Sequence, residues 1–569
     1  MGAGRVSEFS TGGVRPAGDW SAFAGRATAQ MRSGALAGLM VAAGFVHAPA
    51  AFAKSKSSPA TAANAATAAP VITTENGRIS GEVRPSGAIA YRNISYAVAD
   101  RWEQPRRAPA WQGVRDGRIA GNICPQKVEN PALDAFTQSE DCLNLNVWVP
   151  KGYKAGKHKK PLPVMFWIHG GSFRVGSGAL PIYDGDAIVA RDVILVTVNY
   201  RLGLLGRFAH PDLSKQKAGK PRADYGLMDQ VAALQWVQRN IGKFGGDANN
   251  VTIFGYSAGG VSVNYLMAAP SARGLFHKAI AQSGGIQVET TQHISERRPG
   301  ILGAPLEAQG VAAAKHFGSD ETPATLDQLR RLPLDQLIAY QEKTSLGSLN
   351  PVVDGVLIPD DIGRTFRDGK QAPVPYMAGS TSWEASLLHY LPQPLPPRFI
   401  LAGIDGVEPA RAAFGGVDDA KLAHAWFAQS TFMGAAHYLT RESARIGQPS
   451  WLYYFDYVPQ ALQGTVPGAA HGDEVPFIFD TLPLKIRNFS AAQITPADRK
   501  VARLMTDYWT NFAKHGDPNG PGLPRLGARK TDGYAMNILD ANPRINPDFL
   551  ARETAFLDRY YADHIDLSK

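Results

Sequence analysis

The chain has 569 residues, 44% hydrophobic and 19% charged, and its 58 glycines and 40 prolines are scattered rather than clustered, which excludes a generally disordered or fibrous chain. The formal net charge is +9, yet no run of Lys and Arg is interleaved with aromatics, so the basic balance does not carry nucleic-acid binding. The densest basic cluster, Lys157 to Lys160, is flanked by Gly and Pro and is expected to be a solvated loop.

In chain order, the first feature concerns address. Gly34 to Val46 (GALAGLMVAAGFV) is an apolar run as long as a signal-peptide core and too short for a stable membrane span. Ala51-Phe52-Ala53 follows as a small-x-small cleavage site, so residues 1–53 are expected to be a signal peptide and the protein to be exported, to periplasm or medium. Met31-Arg32 stands directly before the apolar run and offers an alternative translation start. The bland alternative is a buried N-terminal helix. Residues 54–70, rich in Ala, Ser and Thr, are expected to be a disordered linker. From residue 71 to 569 strand and helix signals continue with no second linker and no internal repeat, which reads as one domain.

Cys124 and Cys142 lie in a turn-rich stretch. An even count in an exported chain reads as one disulfide, with two free thiols as the alternative. Val164 to His169 (VMFWIH), Val193 to Tyr200 (VILVTVNY) and Val251 to Phe254 (VTIF) are short apolar runs bounded by turn residues, and read as buried strands. Leu227 to Ile241 carries apolar residues at helical spacing. Strands alternating with helices predict an α/β fold whose mostly parallel sheet is covered on both faces. The stretch from Leu306 to Tyr340 is helical in pattern and is expected to lie over the sheet's edge.

Gly255-Tyr256-Ser257-Ala258-Gly259 is a G-x-S-x-G pentapeptide after a strand and before a helical pattern. A serine there sits on a tight strand-to-helix turn with its hydroxyl exposed. By composition alone such a pentapeptide arises on the order of 0.4 times in a chain this long, so context decides. His169-Gly170-Gly171-Ser172-Phe173 ends an upstream strand. Its glycine-rich backbone can aim N–H groups at a developing oxyanion, as acyl transfer requires. Alone, it could be a simple tight turn. An acid and a base should follow the serine in the chain order Ser, Asp/Glu, His, but 13 histidines leave the choice open from spacing.

Further motifs narrow it. Ser139-Glu140-Asp141-Cys142-Leu143-Asn144-Leu145-Asn146-Val147-Trp148, Asn199-Tyr200-Arg201-Leu202-Gly203, Phe244-Gly245-Gly246-Asp247 and Asp507-Tyr508-Trp509-Thr510-Asn511-Phe512 stand in that order. Together with GYSAG they resemble the type-B carboxylesterases, the family that includes cholinesterases, from about Gly77 to Leu539. The resemblance implies an α/β-hydrolase fold with helical segments inserted over the active site, and Ser257 as nucleophile. It implies Glu384 as the acid, five residues after Gly379, and His471 as the base in Gly468-Ala469-Ala470-His471-Gly472-Asp473-Glu474. The oxyanion donors would be the N–H groups of Gly171, Ser172 and Ala258. Cys124 and Cys142 match the family's disulfide before the LNVW strand, and Arg201 with Asp229 matches a structural ion pair.

Three positions depart from the family's pattern. Tyr256 stands where Glu is usual, removing a carboxylate beside the nucleophile. Ser172 replaces a common third glycine, and Trp383-Glu384-Ala385 replaces the frequent Asp-Glu-Gly. The Cys124–Cys142 loop has no Trp, which argues against choline esters. Taken separately, Glu384 could be a helix-start acid and His471 a solvated loop residue.

The function implied is a serine hydrolase that cleaves small-molecule carboxylic esters through an acyl-enzyme, with no cofactor and no metal. Lipase, thioesterase, amidase or carbamate hydrolase activity would use the same triad. A non-catalytic binding protein would have no need of all three residues, and a lyase of the α/β fold would lack an oxyanion hole suited to a covalent acyl intermediate. Fold alone separates none of these, and oligomeric state is not legible.

Overall fold

The computed structural model describes residues 70–565, apart from 128–130, 153–159, 218, 286–290, 297–303, 345–349, 391–393, 403, 405, 483, 485–488 and 531–534. The expected signal peptide, all of the expected linker but Pro70, and most of the Lys157–Lys160 cluster lie outside the described residues.

Leu162–Ile168 shows how the fold is organised. Val164, Phe166 and Ile168 pack into one apolar cluster, while Met165 and Trp167 pack into another on the opposite face. A strand that alternates between two dry faces must lie inside a covered sheet, which explains why it reads as one apolar run. Eleven strands among the described residues form the central sheet: β1 (Glu82–Val83), β2 (Ile89–Ser95), β3 (Asn144–Val149), β4 (Leu162–Ile168), β5 (Ile194–Val198), β6 (Gly246–Tyr256), β7 (Lys278–Gln282), β8 (Tyr376–Thr381), β9 (Ser450–Phe455), β10 (Met536–Leu539) and β11 (Arg544–Asn546). Their spatial order is β11-β10-β9-β8-β7-β6-β4-β5-β3-β2-β1. From β10 to β5 every pairing is parallel, and the flanking strands at both sides pair antiparallel.

Helices cover both faces. On one face lie α1 (Tyr225–Asn240), with Leu234 and Trp236 buried, and α2 (Ala258–Ala268), buried throughout. Helices α3 (Leu306–Phe317), α4 (Leu326–Arg330) and α5 (Leu334–Thr344) correspond to the helical stretch expected at the sheet's edge. They lie elsewhere. Gln341 of α5 accepts the Leu204 N–H at 2.9 Å, and Gly310 of α3 abuts the Ala209 carbonyl. Helices α3 and α5 therefore pack on the loop that leaves the carboxyl end of β5, an interior strand, while α4 meets Arg101 and Glu103. Helical periodicity marks which face is apolar but not which neighbour receives it. On the same face α6 (Asp419–Ala428), α7 (Gly434–Arg445) and α9 (Ala551–His564) complete the cover. On the opposite face α8 (Pro496–His515) buries Tyr508, Trp509 and Phe512.

Cys124 and Cys142 are bonded, which settles the choice between a bridge and two thiols. Just beyond the bridge, Gln126 accepts the Gly176 N–H at 2.7 Å and donates to the Gly176 carbonyl at 3.0 Å. The bridged loop is thereby tied to the turn after β4.

Arg201 and Asp229 form a two-pronged buried pair, with Nε to Oδ2 at 2.8 Å and Nη2 to Oδ1 at 2.7 Å. Both Asp229 oxygens are taken, and the Arg201 backbone N–H adds a bond at 3.0 Å. The pair joins the end of β5 to α1. Asp229→Ala strands a buried guanidinium and should lower stability by about 3–5 kcal/mol in denaturant titration. An unchanged midpoint with lost turnover would instead make the pair part of the chemistry.

Candidate active site

The carboxyl ends of neighbouring parallel strands bring the candidate residues together, as is general for open α/β sheets. β6 ends at Tyr256, and Ser257 turns the chain at φ 53°, ψ −126° before α2 begins at Ala258. This is the left-handed half of backbone space, unfavourable for a side chain outside a constrained turn. The Ser257 N–H donates to the Gln282 carbonyl at 2.9 Å, and its own carbonyl accepts the Val261 N–H at 2.8 Å. The small neighbours are required by contact: a Cβ on Gly255 would lie 2.6 Å from the Ile168 carbonyl oxygen, and one on Gly259 would strike the same carbonyl.

That contact also brings in the glycine turn after β4. A Cβ on Gly170 would lie 2.7 Å from the Tyr256 ring, so the turn rests directly on the elbow. Gly171, Ser172 and Phe173 all have positive φ, at 122°, 55° and 57°. The preference for a third glycine has its cause here, and Ser172 occupies a position that disfavours a side chain. The Phe173 carbonyl accepts the Gly203 N–H at 2.7 Å, and the Tyr200 hydroxyl donates to the His169 carbonyl at 2.8 Å. Both braces come from the Asn199–Gly203 motif.

Glu384 opens a 3-10 turn just past β8. His471 comes from the loop after β9, where an isolated parallel bridge, Trp383 to Ala470, aligns the two segments. Glu384 Oε2 and His471 Nδ1 are 2.5 Å apart, both side chains 1% exposed. The other carboxylate oxygen accepts the Ser283 hydroxyl at 2.6 Å and the Thr381 N–H at 2.8 Å. Burial pushes the Glu384 carboxyl up, but the His471 charge and these hydrogen bonds outweigh it and hold the group below the ordinary carboxylate range. The His471 backbone is fixed by its N–H to Ser386 Oγ at 3.0 Å. Its ring lies 5.2 Å from Phe432 and 6.2 Å from Tyr256.

Tyr256 stacks on Trp167 at 6.0 Å, so an aromatic contact stands where a carboxylate is usual. Beneath it, Gln282 donates to Glu474 at 3.3 Å and accepts the Trp509 indole N–H at 3.0 Å. This ties the GxxHxxE loop and α8 to the strand beside the elbow. Ser283, Ser386, Gln126 and Gln282 carry no motif of their own, and the only signal for Gln282 and Ser283 was their place at the end of a buried strand. Among the described residues no cluster of His, Cys, Asp and Glu could hold a metal, and no helix is long and apolar enough to cross a membrane.

A buried carboxylate that orients an imidazole is chemistry suited to drawing a proton from a hydroxyl, and the backbone N–H groups of a glycine-rich turn are suited to receiving an oxyanion. Comparison with known proteins points the same way. Residues 68–394 and 419–555 match the carboxylesterase family. The chain is 33% identical to the fumonisin B1 esterase of Sphingopyxis macrogoltabida, covering 74% of this chain and 76% of that one. It is 31% identical to the para-nitrobenzyl esterase of Bacillus subtilis, covering 79% and 90%. Among solved structures, a carboxylesterase of Geobacillus stearothermophilus superposes with a TM-score of 0.72 at 30% identity, over 85% of this chain and 99% of that one.

His169, at the root of the glycine turn, stacks on Tyr200 at 4.4 Å and hydrogen-bonds through Nδ1 to the Gly170 carbonyl at 2.8 Å. Burial lowers its pKa to about 4. Between about 6.5 and that value the unfolded chain binds a proton that the folded chain refuses, so stability rises with pH across this window and falls on acidification. The loss should reach about 3 kcal/mol by pH 4. Denaturant titrations from pH 7 to 4 should show it, and His169→Phe should remove that part of the slope. Equal slopes in both proteins would refute the assignment.

Proposed function

Because the chain belongs to the carboxylesterase family, with the α/β-hydrolase fold and carboxylic ester hydrolysis as its activity, we propose that Ser257, His471 and Glu384 are its nucleophile, base and acid. The observation that carries this is the Glu384–His471 contact formed beside a strained Ser257 elbow. Neutral His471 takes the Ser257 proton as the hydroxyl attacks the ester carbonyl. The oxyanion is received by the N–H groups of Gly171, Ser172 and Ala258. His471 then gives its proton to the departing alkoxide, and water repeats the sequence on the acyl-enzyme, returning a carboxylic acid. Glu384, held ionised, orients the imidazole and offsets its positive charge. Tyr256 leaves the imidazolium facing a neutral ring where many relatives carry a second carboxylate, which disfavours cationic substrates. The substrate is a small-molecule carboxylic ester.

Ser257→Ala should cut turnover of p-nitrophenyl butyrate by about a thousandfold or more while circular dichroism and the thermal midpoint stay unchanged. A folded variant that keeps a tenth of the wild-type rate would sink the triad.

The same reading extends to location. The Gly34–Val46 run, the Ala51-Phe52-Ala53 site and a disulfide between the only two cysteines support export from the cytosol. Protein recovered outside the cytosol should begin at Lys54 by N-terminal sequencing. Recovery with the leader intact in the cytosol would refute export.

A further inference from the structure

The helical stretch beside His471 is not uniform. Helix α6 passes into a π-helical turn, Gln429–Met433, before α7 begins at Gly434. A π turn inserts one residue, and relative to a continuous α-helix it rotates every later side chain by about 100°. Such turns are frequent at functional sites.

Here the turn presents Phe432 to the imidazole. Its ring is 4% exposed and lies 5.2 Å from that of His471, tilted by 55°. The Glu384 hydrogen bond holds the imidazole at Nδ1, and the orientation of the ring also depends on what packs against it. Phe432, with Tyr256 as a second wall, supplies that packing. Room for Phe432 is made by Gly285, where a Cβ would lie 2.6 Å from Phe432 Cε1.

The turn is held from the C-terminal helix. Tyr561 of α9, fully buried, donates its hydroxyl to the Ser430 carbonyl at 2.7 Å. Gly434 closes the turn by donating its N–H to the Gln429 carbonyl. It must be small: a Cβ there would sit 2.5 Å from Tyr561 Oη and 2.8 Å from that carbonyl oxygen.

We propose that Tyr561 is a positioning residue for the catalytic imidazole: its hydroxyl pins the π turn, and the turn seats Phe432 against His471. The proposal rests on His471 being the base. Tyr561→Phe removes only the hydroxyl, and kcat for p-nitrophenyl butyrate, counted per burst-titrated Ser257, should fall about tenfold while KM stays within about twofold. Phe432→Leu should lose at least as much. The double variant should lose no more than Phe432→Leu alone, because both changes act on one path. A Tyr561→Phe enzyme with wild-type kcat per titrated site overturns the proposal, whether or not its thermal midpoint falls. So does a double variant whose loss is the product of the two single losses. The wild-type burst, expected to vanish in Ser257→Ala, tests the triad separately, so the two readings fail on different measurements.

Discussion

A serine at φ 53° costs about 1–3 kcal/mol and persists only where its surroundings leave the backbone no other path. Much of the centre of this protein follows from that requirement. The turn is held by hydrogen bonds on both sides of Ser257 and by glycines pressed against the last carbonyl of β4. Because β4 and β6 are parallel neighbours, the same contact that forces the elbow also sets the glycine turn beside it. Strain at one residue and proximity of two functional segments are thus one geometric fact.

Burial of charge supplies the second constraint, and two acids show how it discriminates. Asp229 gives both oxygens to Arg201, whose remaining Nη1 donates to the Asp100 and Glu103 carbonyls, so the pair is tied into the structure. Glu384 is as deeply buried, but its neutral donors, Ser283 and Thr381, both bind one oxygen and leave the other for an imidazole. A carboxylate whose single charged partner can gain and lose a proton is equipped for chemistry. One locked to a guanidinium is equipped for rigidity.

How much was legible in the sequence depended on how far each feature reaches. The buried strands and the elbow are local: β4 announces itself by an unbroken apolar run, and Ser257 by small residues at fixed offsets. The Glu384–His471 pair joins residues 87 positions apart, and nothing near either one marks it, so only the family resemblance could select one histidine among thirteen. Ser283, Ser386 and Gln126 were not legible, since a serine or glutamine acquires such a role only from what folds against it. Helices α3 to α5 were recognised as helices but assigned to the wrong place, because amphipathic spacing carries no address. Tyr256 was visible as a departure, whereas its stacking on Trp167 needed the register of β4 against β6.

The distances along the chain have a consequence for how the molecule comes into being. The elbow and the glycine turn are synthesised early, the acid well after them, and the base only once β9 has been added. Glu384 cannot be buried as an ion until His471 is present to balance it. A nascent chain, or one cut short before residue 471, therefore possesses an exposed serine but no means of ionising it. Reactivity is not accumulated piece by piece along the polypeptide; it is switched on when the sheet closes.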